Sequence, residues 1–208
     1  NFFIPLSDGV KLAARAWLPT NAIEQPVPAI LEYIPYRKRD GTAIRDEQMH
    51  PYWAAFGYAC VRVDIRGSGE SDGLLLDEYL QQELDDAVEV INWLEHQDWC
   101  SGKVGMMGKS WGGFNCLQVA ALRPSALKAI ITVCSTDDRY ADDCHYRGGS
   151  VLIENFSWAS TISGFMAKPP DPLLLPETWR ENWLERLQNM PFFAKNWLEH
   201  TYKDAYWK

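Results

Sequence analysis

Between Val27 and Cys134 the chain alternates short apolar, β-branched runs with longer segments whose apolar residues recur every three or four positions. Val27–Ile34, Ala59–Asp64, Lys103–Gly108 and Lys128–Cys134 are the short runs, each of a length and composition suited to a buried strand. Leu80–His96 carries Leu84, Ala87, Val88, Ile91 and Leu94 on one helical stripe, and Met49–Phe56 and Trp111–Leu122 fill the other gaps as helices. Successive strands joined through helices pair in parallel, with right-handed crossovers that put helices on both faces of the sheet. Ahead of them, Phe2–Leu6 and Lys11–Trp17 flank Ser7-Asp8-Gly9, a turn sequence that closes a hairpin. The expected fold class is therefore α/β, a mostly parallel sheet of six strands flanked by helices.

After residue 148 the alternation stops. Residues 149–208 read as helices and loops carrying Trp158, Trp179, Trp183, Trp197 and Trp207, with a break at Pro169-Pro170-Asp171-Pro172. The expected division is a sheet domain over residues 1–148 and an appended helical segment over 149–208. Most of the aromatic residues are expected to pack the core.

Charge and cysteine usage narrow the partners. Twenty Lys and Arg against 28 Asp and Glu leave a net charge of −8, which argues against nucleic acid or an anionic membrane surface. No stretch approaches the roughly 18 apolar residues that a membrane-spanning helix needs. Cys60, Cys100, Cys116, Cys134 and Cys144 are odd in number and lack metal-ligand spacing. Cys60, Cys116 and Cys134 fall in apolar segments, where a free thiol behaves as a small hydrophobe, and a reducing, cytoplasmic setting is expected. The chain opens on Asn1 and runs at once into a strand, so its true start is expected to lie upstream. Oligomeric state is left open.

Chemistry concentrates at Gly108-Lys109-Ser110-Trp111-Gly112, a G-x-S-x-G pattern between an apolar strand (Val104, Met106, Met107) and a helix (Phe114 to Leu122). That context makes it a nucleophile elbow. Glycines on either side leave room for a sharp turn, and the following helix aims its N-terminal N–H groups at the reaction centre. A serine hydroxyl needs a base, usually a His oriented by a carboxylate, and for this elbow the chain order is Ser, then Asp or Glu, then His. Downstream of Ser110 stand His145, in the stretch Asp137-Asp138…Asp142-Asp143, and His200, in the aromatic tail. Neither follows a later strand of the sheet, where a base normally arrives. His50 and His96 precede the elbow and read as packing or surface residues.

Three separated motifs resemble the CocE/NonD hydrolases, the family of X-Pro dipeptidyl-peptidases and cocaine esterase. They are Tyr33-Ile34-Pro35-Tyr36-Arg37-Lys38, then Asp64-Ile65-Arg66-Gly67-Ser68-Gly69-Glu70-Ser71-Asp72-Gly73, and the elbow with Trp99-Cys100-Ser101-Gly102-Lys103-Val104-Gly105 leading into it. Their order and spacing match that family along the whole chain. The resemblance implies an α/β-hydrolase fold with a helical cap over the acyl pocket. It implies Ser110 as nucleophile, with the Tyr36 hydroxyl and the Trp111 backbone N–H as oxyanion donors. It also implies that two further strands, the triad Asp and His, and a jelly-roll domain lie beyond Lys208, so that residues 1–208 alone are inactive. Asp64 and Arg66 are expected to pair around the Gly67–Gly73 turn. Family members acting on α-amino esters often carry an acid after the Pro-Tyr pair; Arg37 stands there instead, which argues against a substrate with a free amine.

The expected activity is acyl transfer from a small-molecule or peptide ester or amide to water through an acyl-Ser110 intermediate. The alternative is a non-catalytic binding or scaffold protein on the same fold. A metal-dependent hydrolase would need a His/Asp/Glu set at ligand spacing, which the chain lacks, so no metal or cofactor is expected.

Overall fold

In the computed structural model, which describes residues 1–207, the six expected strands form one sheet. They are β1 (Phe2–Pro5), β2 (Lys11–Trp17), β3 (Val27–Ile34), β4 (Ala59–Asp64), β5 (Cys100–Lys109) and β6 (Leu127–Val133). Their order is β1-β2-β4-β3-β5-β6. The opening hairpin is antiparallel and joins β4 antiparallel, while β4, β3, β5 and β6 run parallel. Leu31 pairs with Val61 on one side and Met106 on the other, which places β3 at the centre. From β3 the chain goes to β4 on one flank and then returns to β5 on the other. The strand order therefore reverses beside β3, and a crevice opens past the carboxyl ends of β3 and β5. Tyr36 follows the end of β3 and Ser110 the end of β5.

Three helices cover this sheet: α1 (Ala43–Ala55), α2 (Gln81–Glu95) and α3 (Trp111–Leu122). On α2 the residues Ala87, Val90, Ile91 and Leu94 are fully buried, close to the stripe read from the sequence. Each large apolar side chain removed from water in this way contributes about 1.5–3 kcal/mol. Helix α1 starts six residues earlier than the apolar pattern indicates and contains Pro51. Its first turn leaves Ile44 exposed and commits Arg45 and Asp46 to a charge network described below, so hydrophobic periodicity could not reveal it.

Past β6 come a hairpin, β7 (Tyr146–Arg147) and β8 (Ser150–Val151), then α4 (Glu154–Met166), α5 (Trp179–Asn189), α6 (Ala194–Glu199) and a final 3-10 turn, Ala205–Trp207. The two-residue strands of the hairpin leave no readable alternation. Tyr146, Ala159, Ile162, Met166, Phe193 and Trp197 join the same apolar cluster as the sheet residues. Three of the tail tryptophans are anchored here by their indole N–H groups: Trp197 to Asp77 at 2.9 Å, Trp183 to the Ala167 carbonyl at 2.7 Å, Trp207 to the His200 carbonyl at 2.8 Å.

Two local expectations change. Cys134 is exposed among the described residues, with φ 55°, as are Ile131 and Val133 of β6. Asp64 and Arg66 do not pair. Arg66 holds Asp86 (2.7 Å) and Asp8 (2.8 Å), while Asp64, buried at the end of β4, takes Arg62 (3.1 Å) and the backbone N–H of Lys38 (3.0 Å). Strand residues two apart lie on the same face, but the chain turns after Asp64, and the two side chains part. No helix among the described residues is long and apolar enough to cross a membrane.

Candidate active site

Ser110 sits at the junction of β5 and α3 with φ 56° and ψ −121°, a backbone region that side chains avoid. Its N–H donates to the Val133 carbonyl (2.8 Å), and its own carbonyl accepts from Gly113 N–H (2.7 Å). The flanking glycines are obligatory for contact reasons. A Cβ on Gly108 would fall 2.2 Å from the Gly112 carbonyl carbon, and one on Gly112 would fall 2.7 Å from Ile34 Cγ2. The sharp strand-to-helix turn read from the sequence is thus present.

Tyr36 arrives at the same place from β3. Burial pushes its phenol up to about 12; the Ser110 side chain and the Trp111 backbone N–H, both close enough to act on it, pull the other way. The hydroxyl therefore stays protonated, and able to donate, across the neutral range. Its ring packs against Trp158 (centroids 6.3 Å apart) and Phe165 (5.7 Å), both on α4. Trp111 is wholly buried. Its indole N–H donates to Glu83 (2.5 Å), which also accepts from Asn115 Nδ2 (2.8 Å) and the Tyr79 N–H (3.0 Å). Burial pushes the Glu83 carboxyl up to about 7 despite those donors. The structure therefore brings Ser110, Tyr36 and the Trp111 N–H together.

A cavity of about 280 Å³ opens on Ser110, walled by Tyr79, Phe114 and Trp158 and bounded by Glu78, Asp143 and His145. A more apolar groove, about 340 Å³, lies between Trp53 and Tyr58 and the sheet residues of β3, β5 and β6; Ser110 does not line it.

Of the four histidines, His145 lines the Ser110 cavity, but its ring is fully engaged. Asn155 Nδ2 donates to the His145 carbonyl (2.8 Å), which turns the amide oxygen toward Nδ1 (2.8 Å). Nδ1 must then donate, and Nε2 donates to the Glu78 carboxylate (2.8 Å). This arrangement favours the doubly protonated ring. Burial acts to lower the His145 pKa, but the hydrogen bond and charge of Glu78 outweigh it and the net direction is up. A ring with both nitrogens engaged in this way has none free to take a proton from Ser110. His200 is paired with Asp204 (2.7 Å) and stacked on Tyr206, His96 bonds the Asn92 carbonyl on the surface, and His50 is enclosed under Trp17 beside Glu32.

The Glu78 network escaped the sequence reading. Glu78 accepts from Arg139, His145 and the Trp158 indole, all at least 61 residues away, from a loop with no periodic signal. Asp138, by contrast, caps its own loop, accepting the N–H groups of Tyr140 (3.1 Å) and Ala141 (3.0 Å).

Two residue sets bring possible metal-ligand atoms within 4.8 Å of one another, Glu32–Asp46–His50 and Asp143–Cys144–His145. In the first, both carboxylates already lie against Arg45 and Arg62, so no unbalanced negative charge remains to hold a cation. In the second, both His145 nitrogens are occupied.

A strained serine between strand and helix, at the switch point of a mostly parallel sheet, defines an α/β-hydrolase. Comparison agrees at the level of fold with a CocE/NonD family hydrolase from Staphylococcus aureus (TM-score 0.77, 24% identity, 99% of this chain and 36% of that one). An α-amino acid ester hydrolase superposes with TM-score 0.71 at 24% identity, over 99% of this chain and 38% of that one. Among curated proteins, cocaine esterase of Rhodococcus sp. is 33% identical over 166 residues, 78% of this chain and 28% of that protein. A putative serine esterase of Mycobacterium bovis is 29% identical over 156 residues, 67% of this chain and 25% of that protein. Residues 8–208 match the family of X-Pro dipeptidyl-peptidases (S15 family), and the chain belongs to it. It spans between 25% and 38% of the length of these four relatives.

Proposed function

We propose that the protein containing this chain is a serine hydrolase that cleaves an ester or amide by acyl transfer to water. Ser110 attacks the carbonyl and Tyr36 and the Trp111 N–H hold the oxyanion. Residues 149–208 cap the acyl pocket. The observation that carries this reading is the convergence of the Tyr36 phenol and the Trp111 N–H on a strained Ser110 that opens into a cavity. As negative charge develops on the carbonyl oxygen, two preorganised donors in a site shielded from water lower the barrier by several kcal/mol, about 3 for one donor. The intact constellation favours catalysis over a scaffold role, which has no use for backbone strain at one serine.

The base is assigned outside the described residues, since both His145 nitrogens are engaged by Asn155 and Glu78. Residues 1–208 produced alone are accordingly expected to show no turnover above background. In the whole protein, Ser110→Ala is expected to abolish the burst of p-nitrophenol released from a p-nitrophenyl ester. An unchanged burst amplitude overturns the assignment of Ser110.

A further inference from the structure

Arg37 takes no part in the acyl-transfer steps, yet it is closely tethered. It follows Tyr36 with φ 59°, in the left-handed region that costs a residue with a side chain about 1–2 kcal/mol. The loop closes behind it, Thr42 N–H donating to the Arg37 carbonyl at 3.2 Å. The guanidinium is buried and directs donors to three acceptors: Nε to Asp40 (2.9 Å), Nη1 to the Lys168 carbonyl (3.1 Å) and Nη2 to the Pro169 carbonyl (2.6 Å). Those carbonyls lie just past the carboxyl end of α4, where a cation is favoured by the helix dipole. Helix α4 is also the element whose Trp158 and Phe165 pack on the Tyr36 ring. The next residues reinforce the junction. Arg39 pairs with Asp171 (2.7 Å), and Lys38 pairs with Glu70 (2.6 Å), whose other oxygen accepts the Asp171 N–H (3.1 Å).

We propose that Arg37 is a positioning residue that latches the Lys168–Pro169 segment to the loop carrying Tyr36, so that seating of α4 and orientation of the Tyr36 hydroxyl toward Ser110 occur together. The proposal rests on the roles of Ser110 and Tyr36 given above. Tyr36 is gripped from two sides, its ring by α4 and its backbone by the Arg37 turn. With the latch cut, the loop is free to leave its strained turn and the hydroxyl moves off the oxyanion position. Substrate still enters a cavity whose walls do not include Arg37. The loss is therefore expected in kcat and not in KM.

The test is steady-state hydrolysis of a p-nitrophenyl ester by the whole protein, with phenylboronic acid as a mimic of the tetrahedral intermediate. Arg37→Met is expected to lower kcat about 10- to 100-fold, the range for a catalytic donor displaced by about an ångström, with KM changed less than about threefold. Phenylboronic acid is expected to bind more weakly by a similar factor, and Arg37→Lys to recover part of both. In a Tyr36→Phe background, Arg37→Met is expected to change kcat by less than about twofold, since both substitutions remove the same donor. A folded Arg37→Met protein with unchanged kcat overturns the latch, as do effects of Arg37→Met and Tyr36→Phe that multiply. If Arg37→Met does not fold, Arg37→Lys carries the same cycle with the same criteria. Unchanged kcat in Tyr36→Phe, with Ser110→Ala inactive, removes Tyr36 as the donor and the latch with it. Turnover retained by Ser110→Ala overturns the catalytic reading itself.

Discussion

Replacing Glu78 by Gln tests the account of His145. The carboxylate is buried and accepts from Arg139 and His145 on Oε2 and from the Trp158 indole on Oε1. Burial works to raise its pKa, but Arg139 and His145 hold it below the usual carboxylate value of 4.5. Glutamine supplies one accepting oxygen and no charge, so either Trp158 or the two cations lose their partner. Breaking a buried pair from one side costs about 3–5 kcal/mol. Asp143 lies 3.5 Å from Arg139 and 3.9 Å from His145 and remains as a partial partner, which favours the lower end, about 3 kcal/mol. That is roughly a hundredfold in the unfolding constant. The sign with pH follows from the two shifts. His145 is raised, so its contribution is complete below 6.5 and lost as pH rises through its higher folded value. Glu78 is lowered, so its contribution is present above 4.5 and lost as pH falls through its lower folded value. The destabilisation by Glu78→Gln should therefore be largest between these two reference values, at about pH 5.5. Urea unfolding at pH 5.5 and 8.5, with the His145 ring followed by NMR, measures both quantities. In the variant, burial and Arg139 act on His145 without opposition from Glu78, and its titration should move down. A loss under about 1 kcal/mol at pH 5.5, or an unmoved His145 titration, would refute the imidazolium assignment.

Two further outcomes follow from the elbow and the residues behind it. Gly108→Ala places a methyl group 2.2–2.5 Å from Gly112 backbone atoms that cannot rotate away, and is expected to cost more than the roughly 1–3 kcal/mol of ordinary overpacking; denaturant midpoints measure it, and a shift below about 1 kcal/mol would show that the turn can relax. Glu83, pushed up to about 7 from 4.5 by burial, contributes stability that is complete below pH 4.5 and lost as pH rises to about 7. Glu83→Gln should flatten the stability profile between pH 5 and 8 by on the order of 3 kcal/mol relative to the parent, and parallel profiles would count against a protonated Glu83.

What the amino-acid sequence determined by itself was written in local spacing. Strand and helix periods set the sheet, because each apolar run must face a core whatever lies elsewhere in the chain. Gly108 and Gly112 marked the elbow because their lack of Cβ is needed within a turn of five residues. The role proposed for Tyr36 came only from the resemblance of its motif, since nothing local distinguishes an oxyanion tyrosine from a packed one. Tertiary structure decided the rest through pairs far apart in the chain. Arg66 turned from Asp64 to Asp86 once the backbone bent between them. Arg37 met carbonyls 131 and 132 residues away. Most consequentially, Glu78 and Asn155 closed on His145 across 67 and 10 residues. A histidine in the Ser110 cavity lost both ring nitrogens to other partners because buried donors and acceptors must be matched, and that matching is settled only when the chain is folded.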